Sequence, residues 1–78
     1  MSKYYAHCFV GENPRYTMTG SNKQELISDI RFHCEYTRKD NETCKWFVFD
    51  ADDLCIAAGS IDENGKRHKL DTREAQWI

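Results

Sequence analysis

One stretch of the sequence has helical periodicity, and strand-like segments lie on both sides of it. Its apolar and half-polar residues recur at spacings of three and four, which places them on one side of a helix: Leu26, Ile27, Ile30, His33 and Cys34. The helix is predicted to begin at Ser21, with Gln24 completing a capping box, or one residue later at Asn22 with Glu25. A single helix in a chain of 78 residues can cover only one face of a sheet.

The flanking segments alternate with a period of two, which is the pattern of β-strands. Strands are predicted over residues 3–10, 15–19, 44–49 and 54–58, and a last hairpin turns at Asn64-Gly65. In the aromatic strand 44–49, Trp46 and Val48 are expected to face one way and Phe47 and Phe49 the other. The predicted fold is a single α+β domain over residues 1–78, with a small antiparallel sheet of about five strands in the order ββαβββ and the helix packed on one face.

Two details of the second half of the sheet follow from the sequence. With Asn64-Gly65 as a two-residue turn, Glu63 faces Lys66 and Asp62 faces Arg67, so that opposite charges meet. Gly59 is predicted to mark a bulge, because Leu54, Ile56 and Ala58 would share one face while Ile61 would fall on the other. At the end of the chain, Trp77 is expected to pack against the domain.

Composition narrows the class of protein. The net charge is −2, so the chain as a whole does not attract nucleic acid or an anionic membrane. The amino terminus lacks the apolar run of a signal peptide, and no segment reaches membrane-spanning length. We therefore expect a cytoplasmic protein with no membrane contact, whose four cysteines are reduced.

The acidic segment Asp50 to Asp53 could be a site or a turn. An EF-hand loop counted from Asp50 would need glycine at its sixth position and glutamate at its twelfth, and the sequence has Cys55 and Ile61 there. A carboxylate pair for catalysis needs a concave site, whereas the tip of a hairpin is convex. The sequence favours a solvated turn, with an acidic contact for a basic partner as the alternative.

The cysteines and histidines do not form a recognisable reactive or metal-binding motif. His7-Cys8 and His33-Cys34 are sequence neighbours, which point in different directions on a strand or a helix. Zinc would therefore need one ligand from each segment together with Cys44 or Cys55, and we expect buried, inert thiols instead. No nucleophile, phosphate loop or catalytic triad is present, so we expect no enzymatic activity, no catalytic residue, no metal and no cofactor.

Surplus aromatic surface is the main functional signal. A protein-binding patch is predicted from side chains that the single helix cannot cover, with carboxylates at its rim: Phe32, Tyr36, Phe47 and Phe49, with Asp50, Asp52 and Asp53. The expected partner is another protein or protein complex with a basic surface, or a second copy of the chain in a homodimer.

Two functional hypotheses follow. The first is a small non-catalytic protein-binding module; in build alone it resembles phage or mobile-element proteins that inhibit a host complex, anti-CRISPR and other anti-defence inhibitors among them. The alternative is a nucleic-acid-binding module that uses the basic C-terminal hairpin through Lys66, Arg67 and Lys69.

Overall fold

A computed structural model describes residues 3–11, 13–39 and 41–72. Five strands and one helix follow one another along the chain: β1 (Tyr4–Val10), β2 (Asn13–Gly20), α1 (Lys23–Thr37), β3 (Cys44–Phe49), β4 (Cys55–Ile61) and β5 (Arg67–Lys69). The strands form one sheet in the order β2-β1-β3-β4-β5, and every neighbouring pair is antiparallel. The predicted α+β class and the order ββαβββ are confirmed. Trp77 lies outside the described residues.

Helix α1 begins with the second of the two predicted caps. The side chain of Asn22 accepts a hydrogen bond from the backbone N–H of Glu25, at 3.1 Å, and so satisfies one of the donors that a helix start leaves unpaired. The helix ends at Thr37, and the N–H of Arg38 donates to the carbonyl of Cys34. Its buried residues are Leu26, Ile30 and Cys34, which belong to the arc predicted from the spacing.

The main core lies between α1 and the sheet. It contains residues from the helix and from three strands, namely Ala6, Cys8, Val10, Leu26, Ile30, Cys34, Cys44, Trp46, Val48 and Ile61. Ile30 is fully buried at the centre of the helix face, which stabilises the fold by about 1.5–3 kcal/mol relative to leaving it exposed. No helix among the described residues has the length and apolar character needed to cross a bilayer.

A second cluster lies on the other face of the sheet. Phe47, Phe49, Cys55 and Ala58 are buried there, and Tyr5, Phe9 and Leu70 pack against them. The two faces of β3 are therefore divided as predicted, with Trp46 and Val48 toward the helix and Phe47 and Phe49 away from it.

The predicted bulge at Gly59 is wrong. Gly59 pairs regularly with Trp46, and the register shifts instead where Val48 pairs with Ala57 and Phe49 with Cys55. Glycine is needed at position 59 for another reason. A Cβ there would lie 2.5 Å from Cζ2 of the Trp46 indole, so the ring packs directly on the glycine backbone.

The predicted register of the last hairpin is wrong by one residue. Ile61 pairs with Arg67, and the N–H of Asp62 donates to the carbonyl of Lys66, so that three residues, 63–65, form the connection. Gly65 takes φ of 84°, as the last position of a three-residue hairpin loop requires. The expected charge pairs are replaced by others, because Arg67 pairs with Glu35 and Asp62 with His68.

Candidate functional site

The residues predicted to form one docking patch lie in three places. Phe32 and Tyr36 are on the outer side of α1, near its C-terminal end, where the neighbouring Cys34 lies against Cys44 at the start of β3. Asp50, Asp52 and Asp53 follow the other end of β3. A strand of this length spans about 16 Å, so the carboxylates cannot form a rim around the helix aromatics.

Phe47 and Phe49 do not supply the exposed surface that the sequence suggested. Each is only 5% exposed. Their rings are held by other aromatic rings of the same sheet face: Tyr5 stacks on Phe49 with centroids 5.0 Å apart, and Phe9 meets Phe47 edge to face at 5.9 Å. These two phenylalanines belong to the packing of the domain, and the prediction that they are docking residues is not supported by their burial.

The acidic segment forms a tight turn. The carboxylate of Asp50 accepts hydrogen bonds from the backbone N–H of Asp52, at 2.9 Å, and of Leu54, at 3.1 Å. Asp53 takes φ of 64°, a left-handed conformation that aspartate tolerates better than most residues. Two of the three carboxylates therefore have a structural role, since Asp53 also accepts a hydrogen bond from another strand.

That donor is the hydroxyl of Tyr5, which lies 2.7 Å from Oδ1 of Asp53. The hydrogen bond to Asp53, together with burial and the negative charge of that carboxylate, raises the pKa of Tyr5 to about 12. Tyr5 therefore remains a neutral donor at ordinary pH and connects β1 to the acidic turn. The third carboxylate, Asp52, is exposed at the tip.

Phe32 and Tyr36 are the most exposed large apolar side chains on the helix, at 61% and 78%. They are four residues apart, which brings their rings into a stack with centroids separated by 5.9 Å. The line of rings continues through His33 to Tyr16 on β2, which lies 4.8 Å from the imidazole and is 42% exposed. We call these four residues, Tyr16, Phe32, His33 and Tyr36, the aromatic strip.

The basic hairpin contributes to a groove. A cavity of about 700 Å³ lies between the first half of α1 and the strands β4 and β5, where the helix leaves the sheet uncovered. Lys23, Arg31, Arg67 and Lys69 line it, and Trp46 lies among the lining residues. Of the three predicted basic residues, Arg67 and Lys69 therefore face a common cavity, while Lys66 is outside its lining. The hydrogen bond from Arg67 lowers the pKa of Glu35, which keeps that ion pair intact.

Three cysteines converge in the main core. Sγ of Cys8 lies 2.8 Å from Sγ of Cys34 and 3.5 Å from Sγ of Cys44, and all three residues are fully buried. They come from β1, α1 and β3, while Cys55 lies in the cluster on the opposite face. None of the four belongs to a disulfide. We call Cys8, Cys34 and Cys44 the thiol cluster.

The sequence did not point to Lys23 and Arg31 of α1 as groove residues. It allowed three cysteines to meet but favoured separate, inert thiols. A signal existed for the first, since Lys23, Ile27 and Arg31 recur every four residues and so form one stripe of the helix. For the second, the buried positions of Cys8 and Cys34 were predictable. Their meeting with Cys44 depends on where the helix lies on the sheet, which periodicity does not determine.

The chain matches no protein-family model, no curated protein and no solved structure. Function must therefore be inferred from the geometry of these surfaces.

Proposed function

We propose that this protein is a non-catalytic protein-binding module that docks the aromatic strip onto a partner protein. The observation that carries the proposal is the exposure of Phe32 and Tyr36, at 61% and 78%, on a helix that buries Leu26, Ile30 and Cys34 on its other side. Adjoining exposed apolar side chains of this kind are typical of protein interfaces, and aromatic residues supply many of the residues that dominate binding energy.

The geometry of the strip suits this role. Stacking between Phe32 and Tyr36 restricts both side chains before a partner arrives, so less rotamer entropy is lost on binding. Tyr36 also carries a hydroxyl that can bond to the partner while its ring is buried, which favours tyrosine at interfaces. Two anchors one helical turn apart fit a groove or a flat apolar surface.

The acidic turn would act as a separate contact. Asp52, exposed at the tip, is the carboxylate best placed to meet a basic surface, since Asp50 and Asp53 accept hydrogen bonds within the domain. In the narrower form of the proposal, the module works in the cytoplasm of a host cell and blocks a host complex, as anti-CRISPR and other anti-defence inhibitors do. That form rests on size and architecture, whereas the docking surface rests on geometry.

A quantitative capture experiment tests the docking surface. The tagged protein, the double variant Phe32→Ser/Tyr36→Ser and the control Leu54→Ser are used to capture partners from nuclease-treated lysate. Leu54 is a suitable control because it is 54% exposed and follows the acidic turn, away from the strip. We expect the double variant to lose a protein that the wild type and Leu54→Ser both retain.

Loss of that protein with Leu54→Ser but not with the double variant would reject the strip. A second copy of the chain is the other occupant to be distinguished. Sedimentation of the purified protein over a range of concentrations tests this, since a homodimer through the strip would dissociate in the double variant.

The groove supports a second candidate, which is nucleic-acid binding. Four cationic side chains, Lys23, Arg31, Arg67 and Lys69, line one cavity, and only Glu35 is paired with any of them in an ion pair among the described residues. Phosphate binding there would weaken steeply with added salt. Lys23→Glu/Lys69→Glu would abolish oligonucleotide binding, while Lys66→Glu, outside the groove, would weaken it less. Oligonucleotide binding that is unchanged in the groove variant would remove this candidate.

A further inference from the structure

The thiol cluster has the composition of a soft-ion site. Cys8, Cys34 and Cys44 come from three different elements, and their sulfur atoms all lie within 4.8 Å of one another. Thiolates are the ligands that soft, thiophilic ions prefer in proteins. A buried cysteine used only as a small apolar residue does not need two other sulfurs beside it, so the convergence of all three calls for a chemical explanation.

The spacing of the sulfurs fits a common ion. Three sulfurs that each lie about 2.3 Å from one ion are separated from each other by roughly 3.3–3.8 Å. Sγ of Cys8 is 3.5 Å from Cys44 and 2.8 Å from Cys34, and no two of the three sulfurs are more than 4.8 Å apart, so shifts on the order of 1 Å would bring them to this spacing.

The number of ligands argues against zinc. Structural zinc takes four ligands. Among the described residues the group contains three sulfurs and no histidine, carboxylate or fourth cysteine, and the carbonyl of Lys45 is 3.7 Å from Sγ of Cys34. An ion that binds three sulfurs and keeps a lone pair in the fourth direction needs no further ligand. Arsenic(III) and antimony(III) bind thiols in this way.

Charge leads to the same conclusion. Three thiolates around Zn²⁺ carry a net charge of −1, and around Cu⁺ a net charge of −2. No charged or polar side chain among the described residues is buried in this core, so an offsetting charge would have to come from a partly exposed cation such as Arg38, whose positive charge acts on Cys44. A trivalent ion with three thiolates is neutral and can lie in an apolar core without an ionic partner.

We propose that Cys8, Cys34 and Cys44 form a binding site for a trivalent, thiophilic metalloid, of which arsenic(III) is the representative. The reaction with arsenous acid is a ligand exchange without a change of oxidation state. Three S–H and three As–O bonds break, three As–S bonds form, and the three thiol protons leave with the three hydroxyl groups as three molecules of water. No oxidant or reductant is needed.

The stoichiometry of this exchange predicts its pH dependence. Each thiol proton leaves in a molecule of water, so binding of arsenous acid releases no net protons. A divalent cation must displace the thiol protons into solution and therefore binds more strongly as the pH rises.

The test uses sodium arsenite, and in parallel zinc chloride, with the full reduced chain. Native mass spectrometry is expected to find one arsenic per chain with the loss of three hydrogens. The melting temperature should rise, because the ion binds the folded arrangement. Arsenite binding should be equally strong at pH 6 and pH 8.

Cys55 provides the matched control. It is buried like the others but lies on the opposite face of the sheet, so Cys55→Ala should bind arsenic as the wild type does. Cys8→Ala, Cys34→Ala and Cys44→Ala should each lose the complex that lacks three hydrogens. If a core variant does not fold, the measurements on the wild type and on Cys55→Ala decide alone.

Three results would overturn the proposal. One is the absence of bound arsenic in the reduced wild type at excess arsenite. Another is bound arsenic without a rise in melting temperature, because thiols that meet only in the unfolded chain behave in that way. The third is a stable zinc complex that strengthens with pH while arsenite does not bind, which would show that a fourth ligand and a negative charge are accommodated.

Discussion

Two pairs of aromatic residues differ sharply in how far the fold buries them. Phe47 and Phe49 are 5% exposed on the sheet, while Phe32 and Tyr36 are 61% and 78% exposed on the helix. The strand pair is surrounded by rings from the neighbouring strand β1, whereas the helix pair has mainly itself and the line of rings through His33. Aromatic content alone therefore does not identify a binding surface. What distinguishes the pairs is whether the fold supplies a neighbour for each ring.

The largest expected loss of stability comes from truncating a ring of the buried pair. Phe47→Ala should lower the free energy of unfolding by about 3–5 kcal/mol, because a buried phenylalanine leaves a cavity when it is truncated. Phe32→Ala, the same change at an exposed position, should alter it by no more than about 0.5 kcal/mol. Urea unfolding of both variants measures the difference. Similar losses for the two would show that Phe32 is covered by the domain in solution.

A smaller effect is expected where Trp46 packs on the backbone of Gly59. Gly59→Ala places a Cβ 2.5 Å from Cζ2 of Trp46, so the indole must shift. Overpacking of this kind costs about 1–3 kcal/mol. Thermal unfolding followed by tryptophan fluorescence would report both the loss of stability and the new environment of the ring. An unchanged melting temperature and spectrum would contradict the packing of Trp46 on the glycine backbone.

The next largest loss of stability is expected from removing the hydrogen bond between Tyr5 and Asp53. Tyr5→Phe keeps the ring that stacks on Phe49 and removes the hydroxyl that donates to Asp53, at a cost of about 1 kcal/mol at neutral pH.

The pKa of Tyr5 is raised from 10.0 to about 12 in the folded protein. Its contribution to stability is therefore complete below pH 10 and is lost as the pH rises from 10 to 12. The unfolding midpoint of Tyr5→Phe should lie below that of the wild type at pH 7, and the difference between the two proteins should be smaller at pH 11. A constant difference across that range would show that the hydroxyl does not bond to the carboxylate.

The smallest effect concerns Asp62, in the last hairpin beside the groove. The hydrogen bond from His68, followed by backbone hydrogen bonds, lowers the pKa of Asp62 from 3.8 to about 2. Asp62 thus stabilises the fold above pH 4, and that contribution disappears as the pH falls toward 2. In Asp62→Asn the melting temperature should change less than in the wild type between pH 4 and pH 2. Equal changes would contradict the pairing.

The sequence predicted the strand and helix segments because periodicity and cap residues are local properties. It did not predict the turn of the last hairpin correctly. Comparison with the turn that begins at Asp50 shows why. Asp50 and Asp62 each accept bonds from the N–H groups two and four residues later, and each turn has its left-handed residue three positions on, Asp53 in one and Gly65 in the other. An aspartate in that position selects a three-residue loop over the two-residue turn that Asn64-Gly65 suggests.

The candidate surfaces were predictable only in part. Exposure of Phe32 and Tyr36 followed from their position off the apolar arc of the helix, which is a local property. Burial of Phe47 and Phe49 could not be deduced, because it depends on rings of β1 and on Leu70, far away in sequence. The thiol cluster and the groove depend in the same way on the position of α1 over the sheet.

Site-specific photo-crosslinking can show directly whether the helix pair contacts the partner protein. A photoreactive phenylalanine analogue is placed at position 36, or as a control at position 45, which is exposed on the sheet face opposite the helix and lies at the end of β3 away from the acidic turn. The protein is then irradiated in cells that contain the partner. If Phe32 and Tyr36 form the docking surface, a discrete crosslinked protein is expected from position 36 and none from position 45. Crosslinks from position 45 alone, or from neither position, would contradict this.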